Sequence, residues 1–160
     1  MIEIFNPYHD KDIFSLKFFF NKLVLIRNMM LRLNFNKKNL KEYNHNGSKF
    51  FTSNRIMFYA NGGFIDEHKD NNAAKFTIAK FGKYYQVILS LTKKNEDFYA
   101  GGAYVYCKKK INLDDYMDYG DVLIYNEKIK HGVDKIKSKN LRYSGKISVL
   151  VTFYKNLEKN

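Results

Sequence analysis

Residues 59–70 read YANGGFIDEHKD and hold one of only four histidines in the chain, His68, two places before Asp70 and shortly after Gly62 and Gly63. If the stretch is a strand, residues i and i+2 leave it on one face, so the imidazole of His68 and the carboxylate of Asp70 converge. Convergent nitrogen and oxygen donors suggest a metal. Alone, the spacing is weak, because H-x-D arises readily by chance. In isolation His68 reads equally well as a surface histidine, and Asp66, Glu67 and Asp70 as the solvated acids of a turn.

Two later segments add to the set. GDVLIYNEKIKHGVDKI places His131 at the start of a strand, and SGKISVLVTFY places Lys146 at the head of the last one. Two histidines and a carboxylate on a β scaffold form a facial triad, which binds Fe(II) and leaves positions open for a co-substrate and dioxygen. Lys146 would offer a cation to one of those ligands. Period-two alternation puts Lys146 and Ser148 on the same face of that strand.

The elements that must position these groups are mostly short strands. After residue 50 the candidates are 55–60, 64–70, 84–92, 102–107, 121–126, 131–136 and 146–154, separated by glycine or charged turns. Seven or eight such strands form a jelly roll. Ahead of them, from Asp10 to about Leu33, apolar residues recur at helical spacing between lysines and arginines, predicting a helix that packs on an outer face of the larger sheet. Residues 35–49 are polar and loop-like, with His45, like His9, expected in solvent. A helical segment over 1–50 and a jelly-roll core over 51–155 make one domain of the 160 residues.

Composition narrows the class. Apolar residues make up 45% of the chain and aromatic residues 17%, a globular balance whose aromatics favour strands. The apolar run at 14–33 is broken by Lys17, Lys22 and Arg27, so no membrane span is expected, and the opening MIEIFNPYHDKD lacks the form of a signal peptide. An intracellular, cytoplasmic protein is the expectation, with which the single Cys107 agrees. A net charge of +12 admits a nucleic-acid partner, but the lysines are scattered and unaccompanied by the arginines that base readout prefers. Composition says nothing of oligomeric state.

Taken in order, Tyr59, Gly62 and Gly63, His68 and Asp70, the strand VILSLT, the AGGAYVY hairpin with Gly101 and Gly102, YGDVLIY with Gly120 and Asp121, HGV from His131, and GKIS resemble a known pattern over residues 55–155. It is that of the Fe(II)- and 2-oxoglutarate-dependent dioxygenases, and it is most similar to their prolyl-hydroxylase-like branch. The resemblance implies a double-stranded β-helix (jelly roll, mainly β) in which His68, Asp70 and His131 ligate Fe(II). It further implies that Lys146 pairs with the distal carboxylate of 2-oxoglutarate, with Ser148 and Tyr59 adding hydrogen bonds. Lys146 lies fifteen residues after His131, farther than the family's usual spacing, which makes Arg142 a rival for that carboxylate. The implied reaction consumes 2-oxoglutarate and dioxygen, admits ascorbate as an accessory reductant, and releases succinate and carbon dioxide as a side chain is hydroxylated. The implied substrate is a prolyl, lysyl or other side chain of a protein or peptide.

Three other readings remain open from sequence. An oxidative nucleic-acid demethylase of the same superfamily is favoured by the charge and disfavoured by the lack of a second arginine near the end of the last strand. A jelly-roll binding module without turnover is the second. A zinc hydrolase on the same three ligands is the third, and it lacks both an obvious general base and an H-E-x-x-H pattern.

Overall fold

The structure is a computed structural model and describes residues 1–5, 14–32, 50–139 and 144–155. The expectations for His9, His45 and Arg142 lie outside the described residues.

Two antiparallel sheets face each other. The larger has the order β1 (Ile2–Phe5), β2 (Phe50–Ala60), β9 (Gly145–Lys155), β4 (Tyr85–Ser90) and β7 (Val122–Asn126). The smaller has the order β3 (Ile65–His68), β8 (Lys130–Lys137), β5 (Ala100–Cys107) and β6 (Lys109–Asn112). All seven strands expected from sequence are present. So is the expected helix, α1 (Phe14–Met30), on the outer face of the larger sheet.

Strand β9 shows why its sequence reads as almost continuously apolar. Val149 and Val151 point outward and join Val87 and Leu89 of β4 beneath Phe20, Leu23 and Val24 of α1. Lys146, Ser148 and Leu150 point inward, where they line a cavity between the sheets. Both faces are covered, so neither is free to be uniformly polar. Between the sheets, Met57, Tyr59 and Leu150 meet Phe98, Val133 and Ile136 and close one end of the sandwich.

Three elements escaped the sequence reading: β1, the lysine-bearing edge strand β6, and a second helix α2 (Asn71–Phe81) that ends on Gly82 in the left-handed conformation. The AGGAYVY segment is also placed differently. Gly101 and Gly102 form no hairpin turn but lie inside β5, where its register against β8 shifts between Ala100 and Gly102. No helix among the described residues is long and apolar enough to cross a membrane.

Candidate metal centre

His68 and His131 are direct cross-strand partners at the ends of β3 and β8. Their rings lie 4.3 Å apart, centroid to centroid. Antiparallel pairing thus does for the two histidines what sequence distance conceals. Asp70 arrives differently from expectation. Strand β3 stops at His68, and Asp70 occupies the N-cap position of α2, so the turn into that helix brings its carboxylate back, and not strand alternation. Its side chain makes no cap hydrogen bond; Asp70 Oδ1 instead lies 3.9 Å from His68 Nε2 and 3.7 Å from His131 Nε2. One donor atom from each of the three residues falls within 4.8 Å of the others.

The surroundings fix which atoms are offered. His68 Nδ1 lies 2.8 Å from the Asp66 carbonyl, and His131 Nδ1 lies 3.1 Å from the Ile129 carbonyl. A carbonyl only accepts, so each Nδ1 carries the proton and donates it, which leaves Nε2 bare toward Asp70. Burial lowers the pKa of His131 below its ordinary 6.5, with nearby His68 acting in the same direction, against the Ile129 carbonyl and Asp70. Its neutral, metal-binding form is therefore favoured at pH 7.

A second ring of side chains holds the carboxylate and the imidazole. The Tyr84 hydroxyl lies 3.4 Å from Asp70 Oδ2, makes a short hydrogen bond to Gln86 Oε1, and stands 3.4 Å from Thr152 Oγ1. Asp70 Oδ1 is the oxygen facing the histidines. The Tyr125 ring lies against His131, tilted by 45° with centroids 4.5 Å apart, and burial together with the charge of Asp70 raises its phenol pKa well above the usual value, so it stays protonated. Tyr84, Gln86, Thr152 and Tyr125 were not anticipated. The only sequence trace is the period-two spacing of Tyr84 and Gln86, which any half-buried strand would show.

The centre opens into a cavity of about 730 Å³ between the sheets. Lys146, Ser148 and Tyr59 line the same cavity, so the structure brings all three toward the space that the three ligands face. Tyr59 sits across from Lys146 in the β2/β9 ladder, and its hydroxyl approaches Met57 Sδ at 3.5 Å. Burial, then the charge of Glu3, raises its phenol pKa, keeping it a hydrogen-bond donor. Lys146 already has a partner that sequence did not reveal: its Nζ donates to Asp114 Oδ1 at 2.7 Å, and both side chains are almost fully buried.

The donor set fits a first-row divalent ion. Two bare imidazole nitrogens and one carboxylate oxygen from three chain positions make a facial arrangement with its remaining positions toward the cavity.

Two solved structures agree with this architecture. The chain is similar to a prolyl 4-hydroxylase from Pseudomonas putida, with a TM-score of 0.56 and 12% identity over 96% of this chain and 71% of that one. It is also similar to a prolyl 4-hydroxylase from Phytophthora capsici, with a TM-score of 0.54 and 14% identity over 96% of this chain and 48% of that one. An oxidoreductase of the 2OG-Fe(II) oxygenase family from Burkholderia pseudomallei aligns with a TM-score of 0.44 and 15% identity over 68% of this chain and 47% of that one. The chain thus spans about half the length of two of these three proteins. No family model matches the sequence, and no curated protein matches it. The fold is the double-stranded β-helix of the prolyl 4-hydroxylase structures, and it carries a candidate facial-triad metal site.

Proposed function

We propose that the chain is an Fe(II)- and 2-oxoglutarate-dependent dioxygenase that hydroxylates a side chain of a protein or peptide. The observation that carries the reading is the convergence of His68, Asp70 and His131 at the mouth of a cavity whose interior holds a buried lysine. Residues 1–160 are taken as one catalytic unit, since both sheets contribute to a single site.

His68 Nε2, His131 Nε2 and Asp70 Oδ1 would hold the iron. When bound, the iron and its co-substrate couple oxidative decarboxylation of 2-oxoglutarate by dioxygen to hydroxylation of a C–H bond, releasing succinate and carbon dioxide. The chain's own residues supply geometry. The Asp66 and Ile129 carbonyls fix both imidazole tautomers, and the Tyr84 hydroxyl stands beside Asp70 Oδ2. Lys146, with the hydroxyls of Ser148 and Tyr59, would receive the distal carboxylate at the cavity's inner end, leaving the metal end for the substrate side chain. A protein or peptide substrate is supported by likeness to the two prolyl 4-hydroxylases, and prolyl and lysyl side chains are the first to try.

Calorimetry under anaerobic conditions tests the assignment of the ligands. The wild-type protein is expected to bind Fe(II) or Mn(II) at one site, and 2-oxoglutarate only once that metal is present. His68→Ala and His131→Ala should each lose the metal at least tenfold. Metal binding unchanged in both variants would refute the assignment.

A further inference from the structure

Asp114 belongs to no part of the site expected from sequence and does not itself line the cavity, yet it is paired with Lys146, which does. It sits in a 3-10 turn (Leu113–Asp115), where its Oδ1 accepts from Lys146 Nζ at 2.7 Å and its Oδ2 accepts from the Ala103 N–H at 2.5 Å. The side chains of Lys146 and Asp114 are 4% and 2% exposed. Gly102 makes the room: at φ +120°, a Cβ there would stand 2.6 Å from Asp114 Oδ2. A carboxylate held this closely by a backbone donor and a missing side chain is a fixed partner of Lys146, unlike a surface counter-ion that swings into solvent.

We propose that Asp114 is a built-in competitor for the co-substrate's distal carboxylate, setting how tightly and how selectively the pocket takes a dicarboxylic 2-oxo acid. This rests on the reading above, in which Lys146 receives that carboxylate. An ammonium has three donors, so Lys146 can keep Asp114 and still present a hydrogen to the cavity that it lines. The charge count is less forgiving. Lys146 and Asp114 together are neutral, so a second carboxylate enters with no uncompensated cation to meet it. Two carboxylates on one ammonium stand roughly 4–5 Å apart, where like charges in a partly desolvated pocket weaken binding tenfold or more. In the wild-type protein the distal end therefore reads hydrogen-bonding shape more than charge, and discrimination between 2-oxo acids with and without a distal carboxylate is shallow.

The experiment is calorimetric titration of Mn(II)-loaded, full-length wild type and Asp114→Asn with 2-oxoglutarate. A parallel titration uses 2-oxobutanoate, which keeps the 2-oxo acid and lacks the distal carboxylate. The amide can still accept from Ala103 N–H while the charge is gone. Asp114→Asn should bind 2-oxoglutarate at least tenfold more tightly and leave 2-oxobutanoate unchanged. Asp114→Ser should do the same, which keeps the test in force if one variant fails to fold. Affinity for 2-oxoglutarate unchanged or lowered in variants with intact melting curves would overturn the proposal, since Asp114 would then merely orient Lys146. If every protein binds Mn(II) and none binds 2-oxoglutarate, the co-substrate reading itself fails and takes this inference with it.

Discussion

His131 shows how much of the site is decided by the environment of single residues. Its burial lowers its pKa, so between the folded value and 6.5 the unfolded chain binds a proton that the folded chain does not. Stability in that window rises with pH; it is complete above 6.5 and declines as pH falls toward the folded pKa. Metal-free protein is therefore expected to lose melting temperature between pH 7.5 and 5.5, and His131→Gln should show a smaller loss. An identical loss in both would assign the dependence to other groups. The three residues of the candidate metal centre could be singled out in sequence because donor types are fixed by chemistry and their order along the chain matches a familiar pattern. Asp114 was not legible. Nothing in NLDDY marks Asp114 above Asp115, yet Asp114 is buried on Lys146 while Asp115 pairs at the surface with Lys94 at 2.5 Å. Only tertiary packing tells them apart.

At the scale of elements, the strands were readable because alternation and glycine punctuation survive in sequence. β1 and α2 were not. β1 has four residues, too few for a period, and exists by pairing with β2, where Ile2 faces Phe58 and Ile4 faces Ile56. α2 opens on two asparagines and carries Thr77 and Ile78 in its interior, a modest helix former that packing on the sheet must complete. Its start is also a site residue: Asp70 forgoes the cap hydrogen bond because its carboxylate faces the two histidines. The seam under α1 gives one prediction: Leu23→Ala, at a position 3% exposed, should cost about 2–5 kcal/mol in chemical denaturation. The irregular start of β5 gives another. At Gly101, φ is +83° and a Cβ would stand 2.3 Å from the Lys135 carbonyl oxygen, so Gly101→Ala should destabilise by at least ~2 kcal/mol. A cost under about 0.5 kcal/mol would contradict the strand placement there.

For the whole molecule, the net charge of +12 is the excess that remains after every acid is set against a base. Lys93, Lys94, Lys110 and Lys130 are each engaged by acids, at Glu96 and Asp118, Asp115, Asp134, and Glu67 respectively. The smaller sheet and the start of α2 gain more from the ion that they would share. Because His68 and His131 come from paired strands and Asp70 from the N-cap of α2, a divalent ion would tie these elements together. At a hundred times its dissociation constant, a metal that binds only the folded chain adds about 2.7 kcal/mol. In a chain of this size that raises the melting temperature by roughly 5–10 °C. Chelation should reverse the shift, and His68→Ala should not show it.

The central claim is tested most directly by succinate formation. Protein loaded with Fe(II) and 2-oxoglutarate without air is then exposed to dioxygen, and wild type is compared with His68→Ala and Lys146→Ala. The account predicts dioxygen-dependent succinate in the wild type, its loss in His68→Ala, and weakened 2-oxoglutarate affinity in Lys146→Ala. A folded wild-type protein that neither forms succinate nor binds 2-oxoglutarate in the presence of metal would contradict it.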